Sequence, residues 1–449
     1  MLRGRDIDTL EKRRGYSVCV LGRGRVGLPQ ACLFAQSGFR VAYADADHYV
    51  TNHVERSKIA PAGRKLRKLL TEHIKEGNLT VENDVRKATS SSQIIVFSVP
   101  AVIDKMGKPD YSQVIKACRE TGLSLPQGSL FICSSTTGPG VTESLVKETL
   151  EDASGLKAGT DFGLAYSPMP TRISQDRATG RIVGAVNDQS REAACAVLSL
   201  VTEVKLVKVS SVKTAEVATL LERIHCDVEM ALANELAVFC ERAGVDLIEV
   251  QEAMGSNPHA YIALPRLSSG YAGPEPQLLY DEAESLDARL RVLKLARRIN
   301  EGMVGHATHL VNDGLRTCGK NLRRAKIAVL GVSSRRDRKA AGSSLVKKLA
   351  DALKRKGGYV WVYDSLFSQR ELAEMGYQTE RTLAETLEKA DCLVIAVGHS
   401  RFARLNMKKT KFLMKKPAAI VDMGRIIDPD KAEKEGFVYR GVGRGVSPK

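Results

Sequence analysis

The sequence contains no apolar run approaching the roughly 18 to 20 residues that a bilayer-spanning helix needs, so no membrane span is expected. Its first sixteen residues are charged and pass straight into a strand-like stretch, without the apolar core and small-residue cleavage site of a secretory signal. The expected location is the cytoplasm. A CxxC pair is also missing: the nine cysteines stand apart at 19, 32, 118, 133, 195, 226, 240, 318 and 392, several inside apolar strand or helix patterns. That spacing excludes a disulfide framework or a zinc site and predicts reduced core residues, with no metal. Negative charge is in short supply, 52 Asp and Glu against 68 Lys and Arg, a net charge of +16. The excess gathers in clusters such as Arg64–Lys65, Arg335–Lys339 and Lys408–Lys416. Such clusters suit RNA, DNA or an anionic lipid surface, or serve as a solvated face that keeps the chain soluble. No basic–aromatic interleaving or nucleic-acid module is read beside them.

What is present fits a soluble multidomain protein: 449 residues, 43% hydrophobic and 27% charged, enough for two to four cores. Between residues 16 and 150, short β-branched runs (SVCVL, FRVAYAD, IIVFSV, SLFICS) alternate with amphipathic or polar stretches, the pattern of a parallel sheet covered by helices. The pattern returns at Lys326 with KIAVLGV, a helix through SLVKKLADALKRKGG, then YVWVYD, CLVIAVG and AAIVDMG. Between the copies, Val217, Leu220, Leu221, Ile224, Val228, Leu232 and Leu236 recur at three- and four-residue intervals and predict a long helix. Gly, Pro and Ser over 256–276 predict a loop, and another long amphipathic run, QLLYDEAESLDARLRVLKLARRIN, follows. The expected fold is α/β, two doubly wound Rossmann-like domains joined by a central all-helical domain. Boundaries are placed at 1–15 for an N-terminal extension, 16–205 for the first Rossmann domain, 206–320 for the helices and 321–449 for the second.

In VCVLGRGRVGLPQA, Gly22, Gly24 and Gly27 follow a strand and open a helix, where absent side chains permit a tight turn and close approach of a pyrophosphate. Asp45 stands at the end of the next strand, placed to accept hydrogen bonds from ribose hydroxyls and to repel a 2′-phosphate. The reading is an NAD site. Arg25 and Val26 lie within the loop, and the arginine either adds charge beside the pyrophosphate or points to solvent.

The glycine loop through Asp45, IIVFSVP with GKPD, SSTTGPGVTE, FGLAYSP, AEVATLLE with ALANELAVFCE, KIAVLGVS and the terminal GFVYRGVGRG together resemble the nucleotide-sugar 6-dehydrogenases, over nearly the whole chain. ALANELA and YRGVGRG are most similar to the branch that oxidises UDP-N-acetylmannosamine. The resemblance implies NAD bound at the glycine loop and at Ser98, Val99, Pro100, Ser135 and Thr136. It also implies a C-terminal domain for the UDP-linked sugar, central helices that pair two subunits, and a two-step oxidation of the C6 alcohol to a carboxylate in polysaccharide biosynthesis.

Against that pattern the chain departs at its catalytic positions. A thiolate must trap the aldehyde so that a second hydride can leave, yet the family's cysteine falls on Tyr271 and the aspartate after it on Glu275. The family's lysine falls on Thr219 and its asparagine on Arg223. The glutamate after SP is Met169, and the arginine of the C-terminal substrate motif falls on Gly342; Thr136 alone is retained. Lys213 or Arg223 could replace the lost lysine's charge. The expectation is a homologue that binds NAD and a nucleotide sugar without four-electron turnover, as a homodimer or beside an active paralogue. The alternatives are an oxidoreductase with altered, single-hydride chemistry and a polyanion-binding protein on the same scaffold.

Overall fold

The computed structural model of the chain describes residues 2–22, 24–45, 63–169, 180–255, 262–267, 275–339 and 344–445. It divides into two compact units, one of Met1–Ile224 with Ala272–Leu290 and the other of His225–Tyr271 with Arg291–Lys449.

The first unit is built on an eight-stranded sheet. Its strands are β1 (Ser17–Gly22), β2 (Arg40–Ala44), β3 (Leu79–Glu82), β4 (Ile94–Ser98), β5 (Leu130–Cys133), β6 (Gly163–Tyr166), β7 (Arg181–Ala185) and β8 (Leu206–Lys208). They lie in the order β8-β7-β6-β5-β4-β1-β2-β3, parallel except for the β6–β7 pair. Strand side chains alternate between faces. Val18 and Val20 join one core with Phe34, Ile94 and Val96, whereas Cys19 and Leu21 join a second with Ile95, Phe97 and Phe131. Both faces are therefore buried, which explains the continuous apolar runs in the sequence. The order turns back between β1 and β4. Crevices at such a reversal, beyond the carboxyl ends of the strands, are where doubly wound sheets bind ligands. Helix α1 (Gly24–Gln36) opens directly beyond β1.

Helix α2 (Val212–Ala243) runs for 32 residues. Its buried face keeps only part of the apolar stripe expected from the sequence: Leu220 and Ile224 are buried, Leu221 and Leu232 are 47% and 50% exposed, and Glu216, Thr219, Asp227 and Asn234 are buried beside them. Those polar side chains find partners inside, and that compensation is what makes their burial tolerable. The amphipathic run after residue 276 is likewise not one helix. It is α3 (Glu275–Ser285) and then α4 (Arg291–Thr317). Asp287 adopts a left-handed backbone with φ 50°, and the Ala288 amide turns back to the Ala283 carbonyl at 2.8 Å, ending α3.

In the second unit, β9 (Lys326–Leu330), β10 (Tyr359–Tyr363), β11 (Cys392–Ile395), β12 (Ala419–Asp422) and β13 (Val438–Gly441) form a parallel sheet in the order β10-β9-β11-β12-β13. The order turns back between β9 and β11. One face packs Ile327, Val329, Val394 and Val421 against α5 (Ser344–Arg355) and, through Met303, Ala307 and Val311, against α4. The other face buries Ala328, Leu330, Leu393, Ile395 and Phe402. Within α2 and α4, Asn300 donates to the Asp227 carboxylate at 3.0 Å and accepts from Asn234 at 2.9 Å, while Arg297 pairs with Asp227 at 3.1 Å. Two doubly wound sheets with long helices between them in sequence are thus present, as expected.

Candidate functional site

The glycine loop stands at the β1–β4 reversal of the first unit. Gly22 has φ 140°, and a Cβ there would fall 2.5 Å from the carbonyl carbon and oxygen of Ser98, so only glycine lets β1 close against β4. A Cβ on Gly27 would sit 3.0 Å from the Tyr43 ring, which sets how closely α1 approaches β2. The Tyr43 hydroxyl lies 2.6 Å from the Gly22 carbonyl oxygen and 2.8 Å from Asp45 Oδ2, its single proton shared between the two. That contact ties the loop to Asp45, which is buried at the end of β2. Gln30 of α1 donates to Ser98 Oγ at 2.7 Å and accepts from Ser134 Oγ at 2.9 Å, pinning the helix to the ends of β4 and β5.

Ser98 and Ser135 are buried and Val99, Pro100 and Thr136 half-buried along that same edge. Gly24 begins the helix, and Val26 is 42% exposed on its first turn; the side chain of Arg25 lies outside the described residues. A helix N-terminus directs unpaired amides and a partial positive charge outward. With the glycines before it and a carboxylate at the end of the next strand, the residues fit a dinucleotide: α1 and Gly22–Gly27 at the pyrophosphate, Asp45 at a ribose.

Beyond β5 the SSTTGPGVT turn is held by a residue absent from the sequence-derived set. Glu216, fully buried on α2, accepts from Thr137 Oγ1 at 3.0 Å, from the Gly140 amide at 2.5 Å and from the Thr142 amide at 2.9 Å. Burial pushes its carboxyl above the usual range, although these hydrogen bonds oppose the shift. The Gly138 amide donates to the Tyr111 hydroxyl at 3.1 Å, and burial raises that phenol to about 12. A glutamate inside the apolar face of a long helix, one turn before Thr219, was the available signal.

Glu216, Thr219 and Arg223 share one side of α2. Thr219 is 3% exposed, and its hydroxyl donates to the Ala215 carbonyl at 2.8 Å, which turns it onto its own helix. Arg223 forms an ion pair with Glu275 at the start of α3. Two expected replacements are therefore brought into direct contact, and each neutralises the other. Glu275 Oε2 is buried without a hydrogen-bond partner among the described residues. The Tyr166 hydroxyl at the end of β6 is buried beside Thr219, and burial drives its pKa far upward, with Cys133 and Glu216 adding to the shift and Thr219 opposing it. Lys213 pairs with Glu282 of α3 at 2.8 Å, and Lys108 with Asp281 and Glu284 at 3.1 and 2.7 Å. Neither Lys213 nor Arg223 is left as a free cation. Met169 is half-buried just past β6; Tyr271 and Gly342 lie outside the described residues.

All nine cysteines are buried, and none is in a disulfide. Burial lifts the Cys32 thiol to about 11 and those of Cys19 and Cys133 to about 12, far from the thiolate form.

At the β9–β11 reversal of the second unit, Asp364 lies fully buried just beyond β10. It accepts from the Val332 and Leu366 amides at 2.7 and 2.8 Å and faces His399 Nε2 at 3.2 Å. His399 Nδ1 accepts the Asp337 amide at 2.8 Å, and the Asp337 carboxylate takes the Ser400 amide, also at 2.8 Å. This network ties Asp337, within the arginine-rich segment 335–338, to the carboxyl end of the sheet.

Family models agree with this layout. The NAD-binding-domain model of the UDP-glucose/GDP-mannose dehydrogenase family matches residues 16–199, its central-domain model 213–302 and its UDP-binding-domain model 328–429. The UDP-N-acetyl-D-mannosamine dehydrogenase of Pyrococcus horikoshii is 29% identical over 435 residues, covering 95% of this chain and 99% of the relative. The UDP-N-acetyl-D-glucosamine 6-dehydrogenase of Pseudomonas aeruginosa is 26% identical over 431 residues, covering 94% and 99%. Among solved structures, a P. horikoshii UDP-D-ManNAc dehydrogenase superposes with a TM-score of 0.83 at 28% identity, covering 96% of this chain and 99% of that one. An NDP-N-acetyl-D-galactosaminuronic acid dehydrogenase from Methanosarcina mazei superposes with a TM-score of 0.76 at 26% identity, covering 99% and 98%. With an NAD-binding domain, a central domain and a UDP-binding domain in sequence, the chain belongs to the UDP-glucose/GDP-mannose dehydrogenase family.

Proposed function

We propose that this chain binds NAD and a UDP-linked N-acetylhexosamine but does not carry out the four-electron oxidation of its C6 alcohol, and that it acts as a regulatory or structural homologue. The observation that carries the reading is the burial of all nine cysteines, none of which offers the solvent-facing thiolate that a covalent aldehyde adduct requires. Two further features support it. The Thr219 hydroxyl donates its proton to its own helix, and the Arg223 guanidinium pairs with Glu275. Losing one transition-state donor costs on the order of a hundred- to a thousandfold in rate.

NAD, when bound, supplies a hydride acceptor. The residues that would hold it are those of the β1–α1 loop, Asp45, and the ends of β4 and β5. The nucleotide part of the sugar ligand falls to the second unit, at the end of the sheet where Asp364 and His399 organise segment 335–338. Relatives named for N-acetylmannosamine, N-acetylglucosamine and N-acetylgalactosaminuronic acid point to N-acetylhexosamines as a class.

Self-association belongs to the same reading. Along α2, His225, Leu232 and Phe239 recur every seven residues on one exposed side, with Leu232 50% and Phe239 65% exposed. A stripe of that period fits a second copy of the same helix.

The test is NADH formation with UDP-N-acetylhexosamines at micromolar enzyme, with the P. horikoshii relative as positive control and an aldehyde trap in parallel. The reading expects neither NADH nor trapped aldehyde from this chain. NADH with trapped aldehyde would replace it with single-hydride chemistry, and uronate product would overturn it outright.

A further inference from the structure

We propose that the end of the second unit's sheet at which its strands begin is a docking surface for an anionic lipid bilayer, with Phe412 as its apolar anchor. Ligands of doubly wound sheets bind at the opposite end, beyond the carboxyl ends of the strands. The proposal is therefore independent of the nucleotide-sugar reading.

The segments that lead into β9, β10, β11 and β12 carry Arg323 and Arg324, Lys356, Lys389, and Lys415 and Lys416 respectively, all six exposed. Backbone contacts gather them on one surface. The Arg324 amide donates to the Gly357 carbonyl at 2.8 Å, and the Lys389 amide to the Leu413 carbonyl, also at 2.8 Å. Lys320 Nζ donates to the Lys415 carbonyl at 2.5 Å. The cations that do have acidic partners there, Lys320 with Asp391 at 2.8 Å and Lys411 with Glu435 at 3.7 Å, leave these six outside any ion pair among the described residues. Against them, the same segments hold one exposed acid, Glu388.

Helix α6 (Met407–Leu413) ends on this surface. It buries Thr410 and, just past its end, Met414 is 4% exposed, whereas Phe412 is 87% exposed. Lys408 and Lys409 precede Phe412 by four and three residues, the spacing of one helix face, and both are exposed and outside any ion pair among the described residues. Tyr359, opening β10, is 55% exposed at the same end of the sheet. In MKKTKFL one exposed aromatic ring thus stands beside exposed lysines.

A phenyl ring so exposed among unpaired lysines has two chemical uses, insertion between lipid headgroups or stacking on a base. The observations favour lipid. The charges are spread across four strand ends and are mostly lysine point charges, not the arginine forks that read base edges. Basic residues near an anionic leaflet each strengthen binding by about fivefold, and one apolar anchor alone gives only marginal, reversible attachment. The combination is what makes a usable surface.

The experiment is flotation of the full-length chain with phosphatidylcholine vesicles, with and without phosphatidylserine, at low and high salt. Lys415→Ala/Lys416→Ala and Phe412→Ser are the test variants; each alters only exposed side chains, and circular dichroism checks that they fold. Binding is expected only to serine-containing vesicles and at low salt. It should weaken on the order of twentyfold in the lysine variant and about tenfold in the phenylalanine variant. Equal binding to neutral vesicles, no binding, or binding that both variants leave unchanged would overturn the proposal. So would a duplex or single-stranded oligonucleotide that binds through these residues while vesicles do not.

Discussion

Arg223→Met should be among the most damaging single changes available in the first unit, because of what it leaves behind. Glu275 has a side chain 8% exposed, its Oε1 rests on Arg223, and its Oε2 lacks a partner among the described residues. Removing the guanidinium strands a buried carboxylate, at a cost of about 3 to 5 kcal/mol. Glu275→Gln strands less. The Arg223 side chain is 17% exposed and can turn a nitrogen to water, so the cost falls to about 1 to 3 kcal/mol. The double variant Arg223→Met/Glu275→Leu removes both charges and fills the space with apolar atoms, and should return to within about 1 kcal/mol of the parent. Urea unfolding followed by far-ultraviolet circular dichroism gives the four corners of the cycle, and a coupling of about 2 kcal/mol or more is expected. If each single change costs under about 0.5 kcal/mol and the two simply add, the pair is a solvated surface contact. In that case Arg223 and Glu275 are not a locked, buried pair. Lys213→Met supplies the contrast: its pair with Glu282 is half exposed and should cost under about 1 kcal/mol.

Four further outcomes follow from the geometry. Gly22→Ala places a Cβ 2.5 Å from the Ser98 carbonyl in a left-handed conformation, so calorimetry should show NAD binding weakened at least about tenfold, along with a lower melting temperature. Asn300→Ala takes a donor from Asp227 and an acceptor from Asn234, both buried, and should cost about 2 to 4 kcal/mol in urea unfolding. Burial alone would raise the Asp364 carboxyl, but hydrogen bonds from His399 and from the Val332 and Leu366 amides outweigh it and hold it below its usual value. Its stabilising contribution is therefore present above about pH 4 and lost as the pH falls through the lower folded value. Asp364→Asn should be less stable at neutral pH and have a shallower acid limb in a stability–pH profile. Phe239→Glu puts a charge on the exposed stripe of α2 and should shift a dimer toward monomer in sedimentation velocity, with the fold unchanged.

Much of the fold could be read directly because both sheets are buried on both faces, so their central strands are near-continuous β-branched runs that periodicity detects. Where burial involves polar side chains, the same reading goes astray. On α2 the apolar count finds the buried Leu220 and Ile224 but also selects Leu221 and Leu232, which face outward, because Glu216, Thr219, Asp227 and Asn234 occupy part of the interior through hydrogen bonds that no hydropathy pattern records. The break between α3 and α4 turns on one left-handed aspartate inside an otherwise helical pattern, a conformation for which the sequence holds no glycine signal. At the candidate site, the glycine loop and Asp45 were visible because their spacing is local. The Arg223–Glu275 contact spans 52 residues and the Glu216 clamp on the 137–142 turn more than 70, and only the folded chain brings these groups together.

Calorimetric titration of the purified protein with NAD, and separately with UDP-N-acetylmannosamine, followed by absorbance of the mixture at the NADH band, tests the central claim most directly. The account predicts heat of binding for NAD and for the nucleotide sugar, and no NADH over hours at stoichiometric enzyme. Sustained NADH formation would contradict it, because the chain would then be turning over its ligands with every cysteine buried and with Thr219 and Arg223 already engaged.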